Sequence, residues 1–234
     1  MTEDRLDTAF QYWDNWWGEA RSRERWKQPE TAVTEFTSVL SGRGARRVLD
    51  VGTGIGRHAL EYERLGFEVV ATDASPVGLE EVDRAARERE LRVEVHHANF
   101  TDLPLEDSSV DHVLAWNVVY HGDGAVVSAA LAECRRVLKD GGTIQLTMLS
   151  KRHRAYGVGR QIRPDTFVDE SSTGDKDHPH FYVDAIGLTG ILSAAGFDPL
   201  SLSDVDQDGN LGFHWVVSAE TSPRRTKTRP SLAF

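Results

Sequence analysis

The chain is predicted to fold as one α/β domain, a doubly wound, seven-stranded, mostly parallel sheet that ends in an antiparallel β-hairpin. Three observations predict it. Residues 48–60, V-L-D-V-G-T-G-I-G-R-H-A-L, read as a buried strand, a glycine-rich turn and the start of a helix. Glycine supplies unusual backbone angles and lets a ligand approach the main chain, and such a corner is where doubly wound sheets hold nucleotides. Strand and helix patterns then alternate along the chain. Finally, two alternating runs, 200–205 and 211–219, are joined by D-Q-D-G-N, the chemistry of a hairpin turn.

The elements follow in order. Residues 1–44 form a helical arm in which Val33, Phe36, Val39 and Leu40 share a face and Gly42 and Gly44 mark the end. An aromatic cluster precedes them: Phe10, Tyr12, Trp13, Trp16, Trp17 and Trp26. Such groups bury, against the core or as a lid over a cleft. A domain at 45–221 comes next. Its first helix ends at Gly66, a second strand at 67–72 finishes at Asp73, and Ser75-Pro76 caps the following helix. Strands are expected at 91–95, 110–116 and 143–149. Between the last two, Val127, Leu131, Cys134 and Leu138 repeat at helical spacing and Gly141-Gly142 should end that helix. Cys134 then faces the core as a small apolar residue and not as a nucleophile. Asp184 caps a last helix closed by Gly196. The connection from about 150 to 184 is too long to be a plain loop and is read as a lid insertion; the basic tail 222–234 is expected to fray.

Composition excludes several functions. A formal charge of −10 and a pI near 5.4 disfavour binding to nucleic acid or to a membrane surface. No apolar run approaches the roughly 20 residues of a membrane span. The opening M-T-E-D-R-L-D lacks the layout of a signal peptide, and a single cysteine suits a reducing compartment, so a cytoplasmic location is expected.

The glycine spacing selects a cofactor. A dinucleotide site needs G-x-G-x-x-G, whereas Gly52, Gly54 and Gly56 are followed by Arg57 where the last glycine of that pattern would fall. Asp50 suits a ligand carrying an ammonium or sulfonium. D-x-G-x-G-x-G resembles motif I of the class I S-adenosylmethionine-dependent methyltransferases. Three later segments share the resemblance: A-N-F-T-D-L-P-L-E-D-S-S-V-D at 98–111, A-W-N-V-V-Y-H-G at 115–122, and L-A-E-C-R-R-V-L-K-D-G-G at 131–142, with Asp140 in place of the family's proline. Asp73 at the second strand end is the acidic residue that accepts ribose hydroxyls in nucleotide-binding sheets of this kind. The resemblance implies a Rossmann-like methyltransferase fold with S-adenosyl-L-methionine as cofactor and S-adenosyl-L-homocysteine as product. It implies that Asp73 binds the ribose, that Asn99 (where the family has an acidic residue) and Phe100 hold the adenine, and that Trp116 and Asn117 flank the methionine portion. Gly157 to Val168, the H-P-H stretch and the last strand also resemble the group related to tellurite-resistance methyltransferases, which implies a thiol, a chalcogen oxyanion or a small natural product as acceptor.

Residues for the acceptor are expected at the carboxyl ends of the strands. Trp16 and Trp17 would roof it, and Arg160, beside Gly159, is the basic residue expected to point inward and clamp an anion. Tyr120 and His121 follow the fourth strand directly, and His178, His180 and His214 lie in the lid and the last strand. A neutral imidazole is the usual base near pH 7, which makes His121 and His180, with Tyr120, the candidate catalytic residues. No metal is expected, because H-P-H with His214 fits no standard zinc spacing, and the D-x-D-x-D-G run at 204–209 lacks the glutamate of a calcium loop. Two alternatives stay open: a non-catalytic S-adenosylmethionine-binding regulatory subunit, and an NAD-dependent oxidoreductase, which Arg57 and Asp50 disfavour.

Overall fold

A computed structural model describes residues 9–24, 26–171 and 175–223; most of the basic tail, 224–234, lies outside the described residues. The arm forms α1 (Ala9–Gly18), α2 (Ala20–Glu24) and α3 (Thr31–Gly42). Then come β1 (Arg47–Val51), α4 (Arg57–Arg64), β2 (Glu68–Asp73), α5 (Pro76–Glu88), β3 (Val93–His97) and β4 (Val110–Ala115). After them run α6 (Gly124–Val137), β5 (Leu138–Ser150), β6 (Arg160–Arg163), β7 (Thr166–Val168) and β8 (His180–Val183). α7 (Ala185–Ala194), β9 (Phe197–Asp206) and β10 (Phe213–Thr221) complete the described chain. Among the described residues no helix is long and apolar enough to cross a membrane.

The expected seven strands are present in the order β3-β2-β1-β4-β5-β10-β9. All are parallel except β10, which runs against both neighbours. Burial of β1 is complete after its first residue, as a strand covered by helices on both faces requires. Its side chains alternate between layers. Leu49 and Val51 join the layer of Leu131, Leu146 and Leu188, whereas Val48 meets Val33, Leu40 and Tyr62 beneath α3 and α4.

Two departures from the sequence reading have clear causes. The 150–184 segment is more than a lid: β10 takes the edge of β5 from Thr143 to Leu149, and β8 pairs in parallel with Leu149 and Ser150 beyond it. β7 and β6 then extend that side as antiparallel strands. The Gly141-Gly142 pair lies inside β5 instead of ending α6, because Val110 pairs with Leu138 before the ladder shifts to His112 and Thr143. A Cβ on Gly142 would stand 2.9 Å from the Lys139 carbonyl.

Helix starts follow their local chemistry. Ser75 accepts from the Gly78 N–H at 3.0 Å, Asp123 from Ala125 and Val126, and Asp184 from Gly187. The turn between β1 and α4 has Gly52, Gly54 and Gly56 at φ of 64°, 57° and 82°. There, a Cβ on Gly52 would lie 2.3 Å from a Val118 methyl carbon. Gly52→Ala should therefore lower stability by about 2–5 kcal/mol, combining left-handed strain with overpacking. Gly209→Ala, also at positive φ but with open space around it, should cost only about 1 kcal/mol. Urea denaturation of the two variants checks the difference.

Candidate active site

Strand order reverses beside β1, whose neighbours are β2 and β4, and a cleft opens at that switch point as the fold requires. Gly52, Thr53, Gly54 and Ile55 form its floor. Asp73, Ala74, Ala98 and Phe100 make one wall, and Trp116, Asn117, Val118 and His121 the other. The arm supplies the roof through Phe10, Trp13, Trp17 and Trp26.

Asp73 ties the floor to its wall. Its carboxylate accepts from the Gly54 N–H at 2.7 Å and from the Ser75 N–H at 2.8 Å. Burial raises its pKa against the pull of these amide bonds. Each oxygen keeps a further lone pair for a ligand hydroxyl. Asp50 lies beneath the floor, 1% exposed, and accepts from the Thr53 hydroxyl at 2.7 Å. Its carboxylate does not line the cleft, although Thr53 does. Burial, only partly offset by Thr53 and Arg57, pushes its pKa up to about 7. Gly56 also stands back from the cleft, capping α4 and packing on Val82.

Phe100, Trp116 and Asn117 are in the walls as expected. Asn117 is held at φ 59° by two bonds to the Thr147 hydroxyl. Trp116 is buried with its Nε1–H unpartnered. Asn99 is exposed at the rim, and the amide oxygen expected to meet an adenine amino group instead accepts from the Thr101 amide and hydroxyl.

Asp14 seats the roof by accepting from the Ser75 hydroxyl at 2.8 Å and the Val77 N–H at 3.2 Å. A carboxylate there also complements the N-terminus of α5. Trp17 then lies over Gly54, where a Cβ would meet its ring at 2.9 Å. Trp16 stacks on Tyr12 outside the cleft wall. The sequence reading missed Arg57 and His58 as lining residues. Arg57 lies 4.9 Å above the Trp26 ring and pairs with Glu30 at 2.9 Å, while His58 Nε2 accepts from the Glu30 N–H. Arg57 was visible only as the residue that breaks the dinucleotide pattern.

Several acceptor-side expectations need correcting. Arg160 does not point inward: it is exposed on β6 and pairs with Glu170 at 3.0 Å. Gly159 abuts the Val168 carbonyl, and the strand that follows turns its arginine to solvent. Lys151, Arg152 and Arg154 are likewise paired, with Asp165, Asp204 and Asp208. His121 reaches the cleft, but His180 and Tyr120 are buried behind it. His178 packs with them, 5.8 Å from the Tyr12 ring. His214 is turned toward the Gly212 carbonyl at 2.8 Å and neighbours His153. Burial lowers the pKa of each of these four histidines. Cys134 is fully buried and its thiol is pushed up to about 12.

Comparison with known proteins gives the family and the fold. Residues 48–142 match a methyltransferase domain family. A ubiquinone biosynthesis O-methyltransferase of Cereibacter sphaeroides is 30% identical over 192 residues, spanning 76% of this chain and 74% of that protein. A Mycobacterium tuberculosis protein named "Probable S-adenosylmethionine-dependent methyltransferase" is 35% identical over 155 residues, 65% of this chain; the chain spans about half the length of that relative, 49%. In fold, the chain is similar to the Burkholderia thailandensis 1,6-didemethyltoxoflavin-N1-methyltransferase bound to S-adenosylhomocysteine. The TM-score is 0.70 at 19% identity, with 95% of this chain and 92% of that chain covered. A glycine turn of this spacing, an acidic residue closing β2 and these shared sequences together make the chain a member of the class I S-adenosylmethionine-dependent methyltransferases.

Proposed function

We propose that the protein transfers a methyl group from S-adenosylmethionine to a small-molecule acceptor, a natural-product hydroxyl before a thiol or chalcogen. The observation that carries this reading is that the glycine turn after β1, Asp73 and an aromatic roof line one cleft. The O-methyltransferase name of the Cereibacter relative favours oxygen as the acceptor atom.

The residues present fit the cofactor. Gly52 and Gly54 line the cleft with main chain and let Val118 and Trp17 pack closely on it, where a Cβ would collide. Asp73 has lone pairs for ribose hydroxyls, Phe100 and Ile55 offer apolar contact to a base, and Trp116 and Asn117 stand where a methionine portion would pass. Asn99 would serve only through its amide hydrogens. Bound there, the cofactor supplies an electrophilic methyl on a sulfonium. The chain's own task is alignment and exclusion of water, which the roof of Trp13, Trp17 and Trp26 performs. A hydroxyl acceptor must lose its proton as the O–CH3 bond forms and the sulfonium C–S bond breaks. Tyr120 and His180 are buried behind the cleft, which leaves His121 or solvent to take that proton, whereas an acceptor that arrives ionised needs no base.

Labelled-methyl transfer assayed against phenols, thiols and chalcogen oxyanions tests the activity; transfer to none of them, with cofactor still bound, would favour the regulatory-subunit alternative. Heat protection by NAD(H) with none by S-adenosylhomocysteine would overturn the cofactor. Asp73→Ala should weaken S-adenosylhomocysteine binding by at least about tenfold, since charge-assisted hydrogen bonds contribute about 1.5–3 kcal/mol each; calorimetry checks it.

Asp50 generates a pH prediction. Its folded pKa of about 7 exceeds the unfolded value of roughly 3.9, so the folded state binds more protons between those values. The contribution of Asp50 to the stability of the cofactor-free protein should therefore fall as pH rises through about 4 to 7 and level off above, opposite to the buried histidines, whose lowered pKa values favour the folded state as pH rises. Asp50→Asn should gain stability relative to the wild type between pH 5 and pH 8, as read from the difference in urea midpoints at the two pH values.

A further inference from the structure

We propose that His121, His178 and His180 form a binding site for one divalent late first-row transition-metal ion, in the wall behind the cleft. The three histidines come from two segments of the chain stitched together by their backbones. Gly122 N–H donates to the Pro179 carbonyl at 3.0 Å and Phe181 N–H to the Tyr120 carbonyl at 2.9 Å. His121 and His180 form an antiparallel bridge. All three side chains are buried, and one ring nitrogen from each lies within 4.8 Å of the others.

The outward ring nitrogens decide what the inward ones can do. His121 Nε2 faces the Asn117 carbonyl at 3.2 Å, His178 Nδ1 the Asp177 carboxylate at 3.1 Å, and His180 Nδ1 the His178 carbonyl at 2.8 Å. All three partners are acceptors, so in neutral rings these nitrogens carry the hydrogen. A lone pair is left on His121 Nδ1, His178 Nε2 and His180 Nε2. The first two stand 3.0 Å apart. The third has no hydrogen-bond partner among the described residues, with an Asp175 carboxylate oxygen 3.6 Å away. Three ring nitrogens free of hydrogen, gathered within 4.8 Å of one another beside the Asp175 carboxylate, suit a shared cation.

A metal–nitrogen distance of about 2.0–2.1 Å puts tetrahedral neighbours about 3.3 Å apart, close to the 3.0 Å between His121 Nδ1 and His178 Nε2, with a nitrogen of His180 in the same group within 4.8 Å. Imidazole donors select zinc, copper, iron or nickel over magnesium and calcium. A backbone or carboxylate acceptor on the far ring nitrogen is the usual support of a ligating histidine. Three protein ligands leave a fourth position for water. The sequence reading expected no metal because it joined H-P-H to His214; the third imidazole is His121, brought there by the pairing of β8 with the turn after β4.

The test is metal binding by the chelator-treated full chain, with neither cofactor nor acceptor present, so that failure would leave the methyl-transfer reading standing. Zinc should bind with a stoichiometry of about one per chain, in competition with a chromophoric chelator, and Co²⁺ should give the intense visible bands of a four-coordinate site. His178→Ala and His180→Ala should each weaken zinc binding by about a hundredfold or more, whereas His96→Ala, on the exposed edge strand β3, should not change it. Asp177→Asn keeps all three imidazoles and should weaken binding by about tenfold, which keeps the test decisive if the alanine variants fail to fold. Wild-type protein without those cobalt bands, or zinc affinity unaltered in Asp177→Asn and the folded alanine variants, would overturn the proposal.

Discussion

The structure depends on three glycines whose bare backbone lets neighbours approach closer than any side chain would permit. Gly52 lies under Val118, Gly54 under Trp17, and Gly78 of α5 would place a Cβ 2.8 Å from the Gly54 carbonyl. This close approach lets the first turn of α5 and the β1–α4 turn share one carboxylate, Asp73, which bonds an amide from each. The same closeness lets the arm settle as a roof, because Trp17 occupies the space that a side chain at Gly54 would otherwise fill. Remove that intimacy and the floor, its wall and its cover lose their common anchor.

Much of this was legible from local sequence. The buried strands β1, β2 and β4, the caps Ser75 and Asp184, and the closing hairpin are written in neighbouring residues, where burial pattern and turn chemistry act directly. Part of the cleft lining is legible for the same reason: Gly52, Gly54, Asp73, Phe100, Trp116 and Asn117 all sit at or just beyond strand ends, where topology brings them together whatever the loops do.

What was not legible depends on pairing between distant segments. The Gly141-Gly142 pair reads as a helix stop until the shift between Val110 and His112 makes it part of a strand. Arg160 reads as a clamp until Glu170 and the turn of β6 place it in solvent. Arg57 and His58 enter the lining because Glu30, at the start of α3, holds both. The companion of the H-P-H histidines could not be found by spacing, since β8 continues the sheet beside the turn that carries His121. In each case the residue types were noticed and their partners were not.

The roof has a spectroscopic corollary. Of six tryptophans in the chain, Trp13, Trp17, Trp26 and Trp116 face the cleft, and the indoles of Trp13, Trp17 and Trp26 have centroids 5.4–5.8 Å apart. Ultraviolet emission from this protein therefore originates largely in the pocket itself, from mutually coupled chromophores. An adenine ring entering among them would quench or shift that emission, so occupancy can be followed in real time by intrinsic fluorescence without any label.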